Sequence, residues 1–241
     1  MYMKVFSATD IGQKRQMNQD FVFATDQPVG NLPNLLVVAD GMGGHNAGDF
    51  ASRYGVSVLT ETVRQDKNFN PVKILRKGVE TANREVLTQS RSDPGMAGMG
   101  TTMVVCTVVG EYAYVANVGD SRLYLIANDQ IKQITQDHSL IAEMVRMGEL
   151  TPEQGANHPD KNIITRAVGT SEQIKVDFFD MRLEAGNKIV MCSDGLYNMV
   201  DNSRICEIVR GNDAETAVRL LIDEANKNGG RDNIGVVVAE I

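Results

Sequence analysis

Short runs of apolar, mostly β-branched residues recur along the chain, and Gly, Asn or Asp separates one run from the next. Runs of this kind, bounded by turn-forming residues, predict β-strands. The predicted strands span residues 4–9, 21–25, 35–39, 102–109, 113–118, 122–126, 188–192 and 234–240. Turn sequences at 108–112 and 127–130 predict hairpins, so we expect the strands that flank them to be antiparallel neighbours.

Three segments instead show the spacing of a helix. Apolar residues recur at helical spacing over 47–58. A second helix is predicted to begin at the Asn-Pro pair of residues 70 and 71 and to reach 87, and a third to begin at 212 or 213 and end at the Gly-Gly pair 229–230. Strands and helices do not alternate as in a parallel sheet. The pattern therefore favours an α+β fold of packed antiparallel sheets covered by helices.

The segment 139–164 differs from the rest of the chain. Its methionines, glycines and prolines predict short helices joined by loops. It fits a flap beside a functional site, and it equally fits a surface excursion without a function. Composition alone leaves both interpretations open.

Composition and charge exclude several classes of protein. Hydrophobic residues make up 42 % and charged residues 23 % of the 241 positions, as in ordinary globular proteins. The net charge of −7 disfavours nucleic acid as a partner. No apolar run is long enough for a membrane span, and the N-terminus lacks a signal-peptide pattern. The 3 cysteines, sparse and odd in number, predict reduced thiols in the cytoplasm.

Candidate chemistry comes from aspartates at strand ends. Asp40, Asp120 and Asp194 each follow a predicted strand closely, and Asp232 comes just before the last one. Carboxylates that converge repel one another unless cations neutralise them or their pKa values rise. Mg²⁺ and Mn²⁺ prefer oxygen ligands, and the Gly41 carbonyl could turn toward such an ion. A single Asp-Gly pair usually just makes a turn, but four such strand ends in one domain favour a metal site.

Other chemistries fit the sequence poorly. The 3 histidines are isolated, and no Cys-x-x-Cys pair exists, so zinc is disfavoured. The glycine-rich loop after Asp40 lacks the third glycine of a dinucleotide-binding motif. No cysteine has arginine at the sixth following position, which excludes a thiol phosphatase. Arg15 is a candidate phosphate ligand because its guanidinium matches phosphate oxygens, although a lone loop arginine is usually just a solvated charge.

Seven short polar or glycine-containing segments stand out along the chain: GQKRQMNQD (12–20), VADGMGGH (38–45), GTT (100–102), NVGDSR (117–122), TQDHS (135–139), SDGL (193–196) and GRDN (230–233). Taken in order, they resemble the metal-dependent protein serine/threonine phosphatases of type 2C in their bacterial form. The match spans nearly the whole chain. Each motif is short, but seven in the family's order are specific.

The resemblance implies a fold and a metal centre. Family members are four-layer α-β-β-α sandwiches, two antiparallel β-sheets flanked by helices, with two Mn²⁺ or Mg²⁺ ions at one edge. By position, Asp40 would bridge both ions, and the Gly41 carbonyl would bind one of them. Asp194 and Asp232 would bind the other. Asp120, with Asp194 shared, matches the position of a third, weaker ion in bacterial members.

The resemblance also implies a mechanism. Asp20 would orient a metal-bound water that attacks phosphorus directly, without a phosphoenzyme intermediate, and Arg15 would bind the substrate phosphate. Many relatives carry a histidine two residues after the bridging aspartate, where this chain has Met42. The acid that protonates the leaving oxygen is therefore left open. His45 is a candidate for it, and equally a candidate for a structural residue.

The implied function is hydrolysis of phosphoserine and phosphothreonine in proteins by a single cytoplasmic domain, residues 1–241, with its flap at about 139–164. The expected partners are phosphorylated proteins and a cognate bacterial Ser/Thr kinase of the eukaryotic type, with no nucleic acid and no membrane. A monomer is expected. A regulatory phosphatase for an anti-sigma-factor antagonist would share this chemistry but usually carries a sensor domain. The alternative is a pseudophosphatase, a phosphoprotein-binding module, but such proteins lose the metal aspartates that this chain keeps.

Overall fold

The computed structural model describes residues 3–44, 47–156 and 158–241. The strands in these residues are β1 (Lys4–Asp10), β2 (Asp20–Thr25), β3 (Leu35–Met42), β4 (Gly100–Thr101), β5 (Met103–Val109), β6 (Tyr112–Val118), β7 (Arg122–Ala127), β8 (Gln130–Gln133), β9 (Asp177–Arg182), β10 (Lys188–Cys192) and β11 (Ile234–Glu240). The helices are α1 (Ala47–Gln65), α2 (Pro71–Ser92), α3 (Leu140–Met147), α4 (Pro152–Ala156), α5 (Asp194–Tyr197), α6 (Asn202–Gly211) and α7 (Ala214–Lys227).

The strands form two antiparallel sheets. The first has the order β1-β11-β10-β7-β8, and the second has the order β2-β3-β5-β6-β9, with β4 paired to β3. All predicted strands are present, and the two predicted hairpins join β5 to β6 and β7 to β8. Asn128 and Asp129 both have positive φ in the second hairpin, as a tight two-residue turn requires.

Three apolar layers hold the sandwich together. Leu36 and Val38 of β3 face the space between the sheets, where they meet residues of the first sheet such as Met191. Val37, the next residue along the same strand, packs instead with the α1 and α2 side chains. On the far side, β10 and β11 pack against α6 and α7, for example through Leu221. Alternate residues of the central strands are thus buried on opposite faces, which explains their continuously apolar runs.

The expected four-layer α-β-β-α arrangement is therefore confirmed, with corrections in detail. The short elements β4, β9, α5 and α6 were not predicted, and β8 was implied only by the hairpin predicted at 127–130. The edge strand β9 mixes acidic, basic and apolar residues and is largely half-exposed, so its sequence gives no buried-strand signal. The third predicted helix begins at Ala214, and the Asp213 carboxylate caps it by accepting from the Thr216 N–H at 2.8 Å.

The segment 139–164 contains α3 and α4. An isolated bridge between Ser139 and Ile164 closes the segment at its two ends. The Ser139 hydroxyl caps α3 by accepting from the Ala142 N–H at 3.2 Å. None of the helices in the described ranges is both long enough and apolar enough to span a bilayer.

Candidate active site

The site is built around two aspartates that face each other across β2 and β3. Asp20 and Asp40 are direct partners in the antiparallel register of these strands. The Asp40 backbone is fixed from the other side, because its N–H donates to the Thr102 hydroxyl at 2.9 Å and its carbonyl accepts from the Thr102 N–H at 2.8 Å. Sheet pairing therefore sets the separation of the two carboxylates before any ligand binds.

Gly41 lies where three backbone segments meet. A Cβ at this position would overlap the carbonyl of Gly48 at the start of α1 and would come within 2.7 Å of the Gln19 carbonyl. The Gly41 N–H donates to that Gln19 carbonyl at 3.1 Å. Only glycine permits this approach, which brings α1 against the end of β3.

Asp20 also contacts the other sheet. The Ser193 hydroxyl donates to Asp20 Oδ2 at 2.6 Å and accepts from the Gly235 N–H at 2.8 Å. Ser193 follows β10, and Gly235 lies in β11, so this contact joins the two sheets at one edge of the sandwich. The orientation of the Asp20 carboxylate is therefore fixed by the sandwich as a whole.

Asp194 and Asp120 lie together near α5. Asp194 opens this helix, and its Oδ2 accepts from the Asn198 side-chain amide at 3.1 Å. The Tyr197 hydroxyl lies 3.3 Å from Asp120 Oδ2 and 3.2 Å from the Asp120 carbonyl. One short helix therefore positions both carboxylates.

The loop before β11 supplies the last carboxylate. Asp232 Oδ2 accepts from Arg15 Nη2 at 2.8 Å, and the Arg15 side chain is 51 % exposed. The next residue, Asn233, donates to the carbonyls of Ile11 and Met17, both at 2.9 Å. Asn233 thus holds the loop that carries Arg15 against the loop that carries Asp232.

Packed this closely, the carboxylates disfavour one another's charged forms. Burial raises the pKa of Asp20 to about 7, although the hydrogen bond from Ser193 opposes the shift. Burial also raises the pKa of Asp120 to about 6. For Asp40 and Asp194, burial first and then the neighbouring aspartates hold the pKa values well above their usual range. The site therefore favours a cation or bound protons.

The donor set suits a hard divalent cation. The carboxylates of Asp40, Asp194 and Asp232 and the Gly41 carbonyl offer only oxygen, the ligand type that Mg²⁺ and Mn²⁺ prefer. Asp20 Oδ1 is buried and has no hydrogen-bond partner among the residues that the structure describes. A buried oxygen without a hydrogen-bond partner costs free energy, so this atom is suited to contact a bound polar group. The donor atoms of these residues therefore fit a Mg²⁺ or Mn²⁺ ion.

In this structure the carboxylate side chains do not all point to one common position. Among residues 3–44, 47–156 and 158–241, no three acidic, imidazole or thiol side chains form a ready coordination group. Asp20 is directed to Ser193, and Asp232 is directed to Arg15. Binding of an ion would therefore require small side-chain rotations, Asp232 above all.

His138 fixes the chain just before Asp120. The Gly119 N–H donates to His138 Nδ1 at 3.0 Å, and the Gly119 carbonyl accepts from the His138 N–H at 3.0 Å. Because the Gly119 N–H points at Nδ1, we assign the proton of the neutral ring to Nε2, which is 3.0 Å from Asp177 Oδ2. Arg166 Nη1 is 3.1 Å from Nε2 and donates to Asp177 Oδ1 at 3.0 Å. The ring is fully buried, and burial lowers its pKa.

The charged residues predicted for the site lie at one edge of the sandwich and interact electrostatically with one another: Arg15, Asp20, Asp40, Asp120, Asp194 and Asp232. Gly41 is the residue next to Asp40 on β3, at the same edge. Their individual roles stay predictions. The candidate acid His45 lies outside the described residues, so the structure does not place it.

Two residues that organise the site, Ser193 and Asn233, were given no role by the sequence analysis. Each is polar, buried and directly adjacent to an aspartate of the set. The one signal in the sequence that could have indicated them is their position directly beside these aspartates. Their partners, however, are more than 170 positions away in sequence, at Asp20 and Gln19.

Solved structures share this architecture. The serine/threonine phosphatase of S. agalactiae superposes with a TM-score of 0.92 at 37 % identity, covering 100 % of both chains. The catalytic domain of the serine threonine protein phosphatase PstP, in complex with 2 manganese ions, gives a TM-score of 0.88 at 30 % identity over 99 % of this chain and 97 % of its own. The fold and its acidic edge thus define a protein phosphatase.

Sequence comparison gives the family. The model of the protein phosphatase 2C family matches residues 11–228. The serine/threonine phosphatase stp of Listeria monocytogenes is 37 % identical, over 96 % of this chain and 93 % of its own length. The chain belongs to the protein phosphatase 2C family, and the expected enzyme class, a protein serine/threonine phosphatase, is confirmed. The pseudophosphatase alternative gains no support.

Proposed function

We propose that the protein hydrolyses phosphoserine and phosphothreonine in proteins, with two Mn²⁺ or Mg²⁺ ions held by Asp40, the Gly41 carbonyl, Asp194 and Asp232. The observation that carries the proposal is the paired placement of Asp20 and Asp40 among further carboxylates with raised pKa values. The manganese complex of PstP, a structural neighbour, supports the choice of ion.

Bound divalent ions at such a site lower the pKa of water and neutralise phosphate charge. The protein's own contribution begins with Asp20. Its Oδ2 is occupied by the Ser193 hydroxyl, whereas Oδ1 has no partner among the described residues and can accept a proton from a water molecule. Ser193 thereby orients the accepting oxygen.

Arg15 is the phosphate ligand in this proposal. Its guanidinium is half-exposed, and one nitrogen, Nη2, contacts Asp232. Within the described part of the chain its other N–H groups have no hydrogen-bond partner, so they can bind two phosphate oxygens in a fork. Movement of Asp232 toward an ion would release Nη2 as well, so ion binding and phosphate binding would support each other.

The leaving oxygen needs a proton donor. His138 cannot serve, because it is fully buried and its Nδ1 already accepts from the Gly119 N–H. Met42 carries no proton to transfer. His45 therefore stays the candidate acid of this chain, with solvent as the other source.

A third, weaker ion would be held by Asp120 with Asp194 shared. Burial raises the pKa of Asp120 to about 6, so a cation there would relieve an unfavourable charge at neutral pH. The placement of both carboxylates by α5 supports this part of the proposal.

In the cell we place the protein in the cytoplasm, as a monomeric single domain that reverses a bacterial Ser/Thr kinase. The 3 cysteines are free and buried, which suits a reducing compartment. The family match spans most of the chain, and the Listeria relative is covered over 93 % of its length, which supports a single catalytic domain.

The test is hydrolysis of a phosphothreonine peptide by wild-type protein with Mn²⁺, by wild-type protein with EDTA, and by Asp40→Asn with Mn²⁺. We expect phosphate release only in the first sample. Asp223→Asn is the matched control, since this carboxylate is exposed on α7 and is not one of the residues assigned to the site. Folded wild-type protein that binds Mn²⁺ but releases no phosphate would refute the proposal and favour a binding module.

A further inference from the structure

A cleft lies between the segment 139–164 and the body of the sandwich. Its volume is about 830 Å³. One wall comes from α3, α4 and the residues that follow them, and the other comes from β7, β8 and the end of α5. The carboxylates assigned above to metal and water are not among its lining residues.

The cleft begins directly beside the proposed catalytic centre. Tyr197 and Asn198 line it, and the same two side chains contact Asp120 and Asp194, at 3.3 and 3.1 Å. A phosphoresidue bound at the centre would thus have its neighbouring residues at the mouth of the cleft. Since an extended chain advances about 3.3 Å per residue, a segment of a few residues would enter it.

Cations dominate the charge of the lining. Arg122, Arg146 and Lys161 face the cleft, against the single carboxylate of Asp137. Asp137 is already bound by Arg122 at 2.7 Å. Arg146 and Lys161 therefore leave a positive surface, although the whole chain carries a net charge of −7.

These two cations are available to a ligand. Arg146 is 45 % exposed, and its two side-chain contacts are long, at 3.8 Å to Glu143 and at 3.5 Å from Nη1 to Gln136 Oε1. Lys161 has no ion-pair partner within the described ranges, and both side chains stand on the segment 139–164. The wall below them is apolar where Ile141, Val145 and Pro152 contribute. The cleft thus offers a place for an apolar side chain beneath two basic groups.

We propose that this cleft binds the stretch of phosphoprotein next to the hydrolysed residue, and that Arg146 and Lys161 select substrates with an acidic or a second phosphorylated residue in that stretch. This inference rests on the proposed function. Two features carry it: the contacts that join the cleft to Asp120 and Asp194, and the excess of positive charge on its wall.

The experiment measures kcat/KM for three phosphothreonine peptides that differ only in flanking residues, which are Glu, Ala or phosphoserine. Each peptide is tested with wild-type protein, Arg146→Ala, Lys161→Ala and the double variant. Lys67→Ala is the matched control. Lys67 is exposed and lies two residues beyond the far end of α1, and this end of the helix is about 26 Å from Gly48 at the site.

We expect the wild-type protein to prefer the Glu and phosphoserine peptides over the Ala peptide by about tenfold, since a partly exposed ion pair contributes a few-fold each. Each single variant should lower this ratio about threefold, and the double variant should bring it close to one. The Lys67→Ala ratio should equal that of wild type. The preference should also shrink as salt screens the charges.

A wild-type ratio near one, or a preference that survives in the double variant, would overturn the inference while leaving the proposed function intact. If no peptide is hydrolysed, the proposed function fails first. In that case, fluorescence anisotropy of labelled peptides with the wild-type protein still decides the inference. Equal affinity for Glu and Ala peptides would refute it, and tighter Glu binding that requires Lys161 would support it.

Discussion

Asp20 and Asp40 occupy opposite positions in the register of β2 and β3, so two carboxylates of the site are held side by side by backbone hydrogen bonds. The Ser193 hydroxyl, from the other sheet, fixes one of them. Sheet pairing resists rearrangement, so the two residues stay close together and the pKa values of their carboxylates are raised instead. Most of what we expect of the site follows from that arrangement.

The first prediction concerns stability without metal. The pKa of Asp20 is raised from 3.8 to about 7, so between these values the folded protein keeps a proton that the unfolded chain has lost. Stability therefore falls as the pH rises through this window, by roughly 4 kcal/mol at most for this group. In EDTA, the melting temperature should fall between about pH 4 and pH 7, and Mn²⁺ should largely abolish the fall.

The control for this prediction is Asp20→Asn, which removes one of the groups that titrate. Its melting temperature in EDTA should depend less steeply on pH than that of wild type. A metal-free wild-type protein that melts at the same temperature across the whole range would contradict the arrangement of charges described here.

Substitutions of Arg15 test whether this residue binds the substrate phosphate. Arg15→Ala should lower kcat/KM for a phosphothreonine peptide by about tenfold to a hundredfold, because a charged hydrogen-bond donor to phosphate is lost. Arg15→Lys should retain part of the activity, since a lysine keeps the charge but not the fork. Steady-state kinetics at saturating Mn²⁺ give kcat and KM separately, and unchanged constants in Arg15→Ala would exclude the assigned role.

His138 tests how the loop before Asp120 is held. His138→Asn can place its amide oxygen near the Nδ1 position, where it accepts from the Gly119 N–H, whereas His138→Gln can place its amide NH2 near the Nε2 position, where it donates to Asp177. At the Mn²⁺ site of lowest affinity, we expect the Asn variant to bind Mn²⁺ more tightly than the Gln variant does. Calorimetric titration with Mn²⁺ measures this directly.

The reference for the His138 series is His138→Ala, which empties a fully buried position and should cost about 2–4 kcal/mol of stability. Chemical denaturation gives that value. Equal Mn²⁺ affinities in the Asn and Gln variants would show that the hydrogen bond from the Gly119 N–H does not influence Mn²⁺ binding.

Gly195 tests the close approach of α5 to the loop that carries Asp232. A Cβ there would overlap the Asn233 carbonyl, so Gly195→Ala must push the two segments apart. We expect a loss of about 1–3 kcal/mol, as for other overpacked sites, together with weaker Mn²⁺ binding. Gly211→Ala is the control, because nothing lies within 4 Å of a Cβ at this end of α6.

Denaturation midpoints and Mn²⁺ titrations of the two alanine variants decide this case. Gly211→Ala should match wild type in both measurements. If Gly195→Ala behaved like Gly211→Ala, the packing of Asp194 against Asp232 would not depend on that contact.

Much of the fold could be predicted because its elements carry local signals. β3 and β5 are continuous apolar runs, and α2 begins at an Asn cap whose Oδ1 accepts from the Lys73 N–H at 3.0 Å. The edge strand β9 was missed because it is half-exposed and mixes charged and apolar residues. The helix α6 was missed although it carries a local signal, an Asp201 cap that accepts from the Arg204 N–H at 2.9 Å and apolar residues at helical spacing.

The sequence by itself determined which residue types would stand at the strand ends, and hence an acidic edge suited to hard cations. Tertiary structure alone decided how these residues meet. The pairing of Asp20 with Asp40, the reach of Ser193 across the sheets and the pairing of Arg15 with Asp232 all join positions remote in sequence. Local patterns record burial and turns, whereas the distance between remote side chains depends on sheet register and on the packing of one sheet against the other.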